Sequence, residues 1–85
     1  MDYDFRVQPL TFLVDAENKA LSVEYECVLG TALGSLRRRG VAQVPAEDRQ
    51  LTLQDVTTEV LFRWIALDIN PFLVAEEMLA ELTPN

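Results

Sequence analysis

The stretch RWIALDINPFLVAEEMLAEL, residues 63–82, is apolar over most of its length, yet Asn70-Pro71 sits in its middle. Proline disfavours helical geometry in the residue before it and suits the first position of a new helix, so the dipeptide divides the run in two. Asn70 is expected to cap a helix over residues 71–82. The preceding helix is expected over 53–69, where Thr52 and Asp55 stand at capping-box spacing with Asp in place of the usual Glu. The result is an angled helical pair.

This pair carries more apolar bulk than one side of each helix can use. Leu53, Val56, Val60, Trp64 and Leu67 form a stripe that Leu61 and Ile65 widen. On the second helix Phe72, Ala75, Met78, Leu79 and Leu82 share a face. Phe62 and Ile69, on the far side of the first helix, and Leu73 and Val74, projecting toward Glu76, Glu77 and Glu81 on the second, are left over. They either pack under the rest of the chain as ordinary core and surface, or belong to an interface, where burying such a side chain is worth roughly 1.5–3 kcal/mol.

The N-terminal third has a different period. Tyr3, Phe5 and Val7, then Leu10, Phe12 and Val14, alternate on either side of Gln8-Pro9, which predicts a strand over 3–14 with an edge position or a bulge at Pro9. DAENK supplies turn chemistry, and Leu21, Val23, Tyr25 and Cys27 alternate against Ser22, Glu24 and Glu26 to give a second arm over 20–27. A competing pattern exists, since Tyr25, Val28, Leu29, Ala32, Leu33 and Leu36 also fit one helical face with Ser22 as cap. The reading adopted is strand to Cys27, then helix over 29–39 ending at Gly40. Gly30 and Gly34 would let that helix pack closely on the sheet or on a second helix, or Gly30 would serve the strand-to-helix turn. VAQVPAEDRQ reads as a linker or as a short second hairpin with QLTLQ.

The expected architecture is therefore one α+β domain over 1–85, an N-terminal antiparallel hairpin (3–14 and 20–27) covered by three helices (29–39, 53–69, 71–82). At 85 residues such a domain buries only about 60% of the surface its unfolded chain exposes, so a second subunit would help. No stretch approaches the roughly 20 apolar residues of a membrane span. The start MDYDFR lacks the marks of a signal peptide, and a lone Cys27 closes no intramolecular disulfide, so a cytoplasmic protein is expected.

Fourteen acidic against seven basic residues give a net charge of −7, which disfavours phosphate-backbone and anionic-membrane binding. The last helix carries three glutamates and no Lys, Arg, Asn or Gln to read a groove. Arg37, Arg38 and Arg39 form the one basic cluster, read as cations at a helix C-terminus or as an anchor for an acidic partner or phosphate. With no histidine and one cysteine there is no imidazole base, nucleophile–base pair or zinc cluster, so no catalytic, cofactor or metal residues are assigned.

The expected function is a non-catalytic interaction module such as an adaptor, assembly factor or small regulator. It would self-associate as a homodimer through its C-terminal helices and hold a protein partner. Phe62, Ile69, Leu73, Val74, Glu77 and Arg37 to Arg39 are the candidate contact residues. The alternative is a regulator of nucleic-acid machinery, docking through the arginine cluster or imitating a phosphate backbone with Asp55, Asp68, Glu76, Glu77 and Glu81.

Overall fold

The computed structural model describes residues 3–82. The ends of the single domain expected over 1–85 lie outside that span. An antiparallel sheet of order β1-β2-β3 is built from β1 (Tyr3–Val14), β2 (Ala20–Thr31) and β3 (Gly34–Gln43). Two 3-10 turns, Ala46–Asp48 and Leu53–Asp55, lead to α1 (Thr58–Asp68) and α2 (Pro71–Leu82). The α+β class stands, but a three-stranded sheet with two α-helices replaces the expected hairpin covered by three.

The difference lies in residues 29–39, which are not helical. They are the end of β2, a turn at Ala32-Leu33 and the first part of β3. Thr31 holds the turn, its Oγ1 accepting from the Leu33 N–H and donating to the Gly34 carbonyl, each at 3.1 Å. Gly34 has φ +147°, a conformation that residues with a Cβ rarely adopt. Leu29 then pairs with Leu36, Cys27 with Arg38 and Tyr25 with Gly40. Gly40 is thus interior to a strand rather than a helix stop, and Arg37 to Arg39 are strand residues with no helix terminus to neutralise.

The other turn is as the residues suggest. Asp15 Oδ1 accepts from the N–H groups of Glu17 and Lys19, both at 2.9 Å, while Asn18 takes φ 63°. Asn and Asp tolerate that left-handed conformation better than other residues with a Cβ. The β1–β2 register shifts between Pro9 and Thr11, where proline cannot donate to the ladder.

α1 also departs from expectation, beginning at Thr58 instead of near 53. Thr52 and Asp55 do bond, Oγ1 to Oδ2 at 2.8 Å, but this closes a single 3-10 turn. Val56 and Thr57 are extended, and Thr57 is the cap, accepting the Val60 N–H at 3.2 Å. The cause is local: a threonine hydroxyl competes for backbone donors, and the β-branched run Val56-Thr57-Thr58 has little to gain from a helical turn. α2 begins where the sequence places it, with Asn70 Oδ1 accepting from Phe72 and Leu73 N–H at 3.0 and 3.4 Å.

The core lies between one sheet face and the helices. Val23, Tyr25, Cys27 and Leu29 of β2 and Ala42 of β3 meet Leu61, Trp64 and Ile65 of α1 and Met78 of α2. The linker joins this layer instead of forming a second hairpin: Val44 N–H donates to Leu21 O at 3.0 Å, and Ala20 N–H to Leu51 O at 3.2 Å. β2 is buried on its other face too, where Glu26 is 7% exposed between Arg37 at 2.9 Å and Arg39 at 3.6 Å.

Burial pushes the Cys27 thiol up from its usual range, with Arg38 opposing. A buried, protonated thiol is a poor nucleophile. Cys27 should therefore resist a thiol-specific reagent such as dithionitrobenzoate at neutral pH and react at the unfolding rate when denaturant is added. Rapid labelling of the native chain would contradict this packing.

Candidate docking surface

The helices are too short for the sheet. Strands of 12 residues span about 40 Å, whereas helices of 11 and 12 residues span about 16–18 Å. The molecule is accordingly elongated, 50 × 18 × 17 Å with a radius of gyration of 14.8 Å, against about 12 Å for a compact chain of this length. The helices pack chiefly on β2 and β3, so the inner face of β1, with Phe5, Val7 and Phe12, is only partly covered.

Where α2 starts, this geometry opens a groove of about 580 Å³ between the beginning of β1 and the first turns of the helix. It is lined by Tyr3, Asp4, Phe5, Pro71, Phe72 and Ala75. Phe72 is 83% exposed and Tyr3 43%. The opposite end of α2 reaches β3, where Leu82 Cδ2 would sit 3.7 Å from a Cβ on Gly34. α2 therefore crosses the sheet with its tail anchored and its first turn beside β1 across open space.

The expected contact residues divide. Ile69 and Val74 are half-buried and pack on the core, while Phe62 (41% exposed) and Leu73 (56%) face solvent. Phe72, expected on the core-facing side of α2, is instead its most exposed apolar residue. Side chains on a helix tilt toward its N-terminus, so one in the first turn projects past the helix end rather than down onto the sheet. Asn70-Pro71 was the signal for that placement. Nothing in the periodicity pointed to Tyr3 and Phe5 as its neighbours, because they reach it only through the sheet register.

Glu77 and the arginines are engaged within the chain. Arg38 reaches from β3 to Glu77 at 3.2 Å and Glu81 at 3.3 Å on α2, while Arg37 and Arg39 point to the other face and hold Glu26. The remaining cations are committed as well: Arg6 to Asp4, Lys19 to Glu17, Arg63 to Asp48, and Arg49 to the Val44 carbonyl. Carboxylates are in surplus. Glu24, Glu47, Glu59 and Glu76 make no ion pair among the described residues.

No family model, no curated protein and no solved structure matches this chain. Among the described residues no group of three or more acidic or cysteine side chains is placed to hold a metal, and no helix is long and apolar enough to cross a membrane. Besides Cys27, two of the described groups have shifted pKa values with structural causes. Burial, followed by its hydrogen bond to Asp68, raises the Tyr25 phenol. Hydrogen bonds from Trp64 and then Arg63 lower Asp48. Both groups tie α1 to the rest of the fold, and neither lines the groove.

Proposed function

We propose that this protein is a non-catalytic interaction module that holds a protein partner against the start of α2 and the uncovered face of β1. The supporting observation is the exposed Phe72 beside Tyr3 and Phe5, an aromatic cluster that the protein's own helices are too short to cover. Large apolar side chains gathered at a concave site are the usual anchors of protein interfaces, with surrounding charges setting encounter rate and specificity. Docking through the arginine cluster has less support, since Arg37, Arg38 and Arg39 already bind carboxylates.

A photo-crosslinking phenylalanine analogue placed singly at positions 62, 72, 73 and 24 in cells of the native host tests this reading. Covalent adducts with a discrete protein are expected at 72 and not at 24, which lies on the outer sheet face. Adducts at none of the positions, or equally at all four, would overturn it. Adducts confined to 62 or 73 would keep a docking function but move it off the groove.

A further inference from the structure

We propose that the groove between Tyr3 and Phe72 takes a short cationic peptide segment of a partner protein, one that inserts a large apolar side chain and flanks it with Lys or Arg. This rests on the docking function above and specifies its ligand. The floor is apolar, from Phe5, Pro71 and Ala75, with aromatic walls at Tyr3 and Phe72. Its volume of about 580 Å³ suits one or two large side chains rather than a whole helix face. The charge around it is negative. Asp4 lines the groove, and Glu76, one helical turn beyond Phe72, has no ion pair among the described residues. Asp4 is shared with Arg6 at 3.3 Å, but both are largely exposed, and pairs of that kind are weak enough to be exchanged for a partner's cation.

Charge also chooses between occupants. A second copy would bring another net charge of −7 to this acidic rim, with only seven Lys and Arg to offer against fourteen acidic residues. A cationic segment instead supplies what this chain lacks. It meets the apolar walls with its anchor and the unpaired Glu76 with its charge, and long-range attraction to an acidic protein speeds its encounter.

The purified full-length chain can be screened against a displayed library of random dodecapeptides, with synthetic copies of the recovered peptides measured by fluorescence anisotropy. Recovered sequences should combine Lys or Arg with Trp, Phe, Leu or Met. Phe72→Asp should weaken binding about thirtyfold or more, as for an interface anchor. Glu76→Lys should weaken it about fivefold, with the loss shrinking between about 50 and 500 mM salt. Leu13→Asp, an exposed change on the outer sheet face, should leave affinity unaltered. Circular dichroism and Trp64 fluorescence verify each fold.

Acidic or uncharged recovered peptides, or indifference to Glu76→Lys, would overturn the cationic ligand. Binding insensitive to Phe72→Asp would overturn the groove while leaving a docking function elsewhere. Failure to recover any peptide would overturn the proposal, and a light-scattering dimer lost on Phe72→Asp would identify the occupant as a second copy.

Discussion

Trp64→Ala should destabilise the fold by about 3–5 kcal/mol, the range for truncating a large buried aromatic. A domain of this length has roughly 4–13 kcal/mol in total, so the variant should be partly unfolded near room temperature. Trp64 is fully buried on α1 and is the largest side chain in the core. Its indole also reaches out of that core, Nε1 donating to Asp48 Oδ2 at 2.7 Å, where Arg63 donates as well at 3.1 Å. Asp48 belongs to the first 3-10 turn of the linker, so one residue fills the space under the sheet and fastens the connection from β3 to α1.

The same pair predicts a pH dependence. The Trp64 bond, and secondarily the Arg63 bond, hold Asp48 below the ordinary carboxylate range. A depressed carboxylate stabilises the fold above its unfolded pKa, about 3.9 for Asp, and that stabilisation disappears as pH falls through the lower folded value. Wild-type denaturation midpoints, followed by circular dichroism, should therefore drop below about pH 4. Asp48→Asn, which keeps an acceptor for Trp64 but cannot titrate, should show a smaller drop. Trp64→Ala melting with the wild-type midpoint would refute the packing, and an Asp48→Asn profile parallel to wild type would refute the linkage.

How legible this fold was depends on whether a side chain follows the period of its element. β1 and α2 were readable because alternation and an Asn-Pro start are local signals. β3 was not. Its inward positions are Leu36, Arg38, Gly40 and Ala42, and only the first is a large apolar residue. Arg38 occupies a core-side position because Glu77 and Glu81 of α2 receive its charge, a partnership between residues about forty apart that no window of sequence displays. Stripped of alternation, and opening within the leucine-rich VLGTALGSL, the segment matched a helix period. The turn at Ala32-Leu33 lacks the Asn-Gly or Asp-Gly that marks many two-residue hairpins, and only Gly34 hinted at it.

The candidate site was half legible for a related reason. The surplus of apolar bulk near the C-terminus follows from composition and spacing, and Phe62 and Leu73 are exposed as a helical projection suggests. Which residues the surplus gathers beside does not follow, because helix projection assumes a helix lying flat along its whole length. α2 is held at its far end, by Leu82 near Gly34 and by the Arg38 pairs, and its first turn overhangs a strand the helices barely cover. Val74 packs inward and Phe72 outward as a result. The misplacement is a property of the long sheet, not of the helix.

Gly40→Ala should destabilise the protein by about 2–4 kcal/mol, although glycine in a strand interior is ordinarily worse than alanine by about 0.5–1 kcal/mol. The sign reverses because of Tyr25. Gly40 lies directly across from it in the register, and a Cβ on Gly40 would stand 2.6 Å from Tyr25 Cζ and 3.1 Å from Cε1. The bare backbone thus receives the ring, an arrangement in which an aromatic neighbour covers the gap a strand glycine leaves. The ring has nowhere to retreat. It is buried, and its hydroxyl donates to Asp68 at the end of α1, so displacing it strains the core and pulls on the helix together. Gly40 has no positive φ, and the cost is therefore one of space rather than of backbone conformation. A double-mutant cycle isolates it: in a Tyr25→Leu background, itself destabilised, the added Gly40→Ala should cost little or become favourable, giving a coupling of about 1–3 kcal/mol by urea denaturation. Additive losses would show that the tyrosine does not hold this position open, and a stabilised single Gly40→Ala variant would show that the ring moves aside freely.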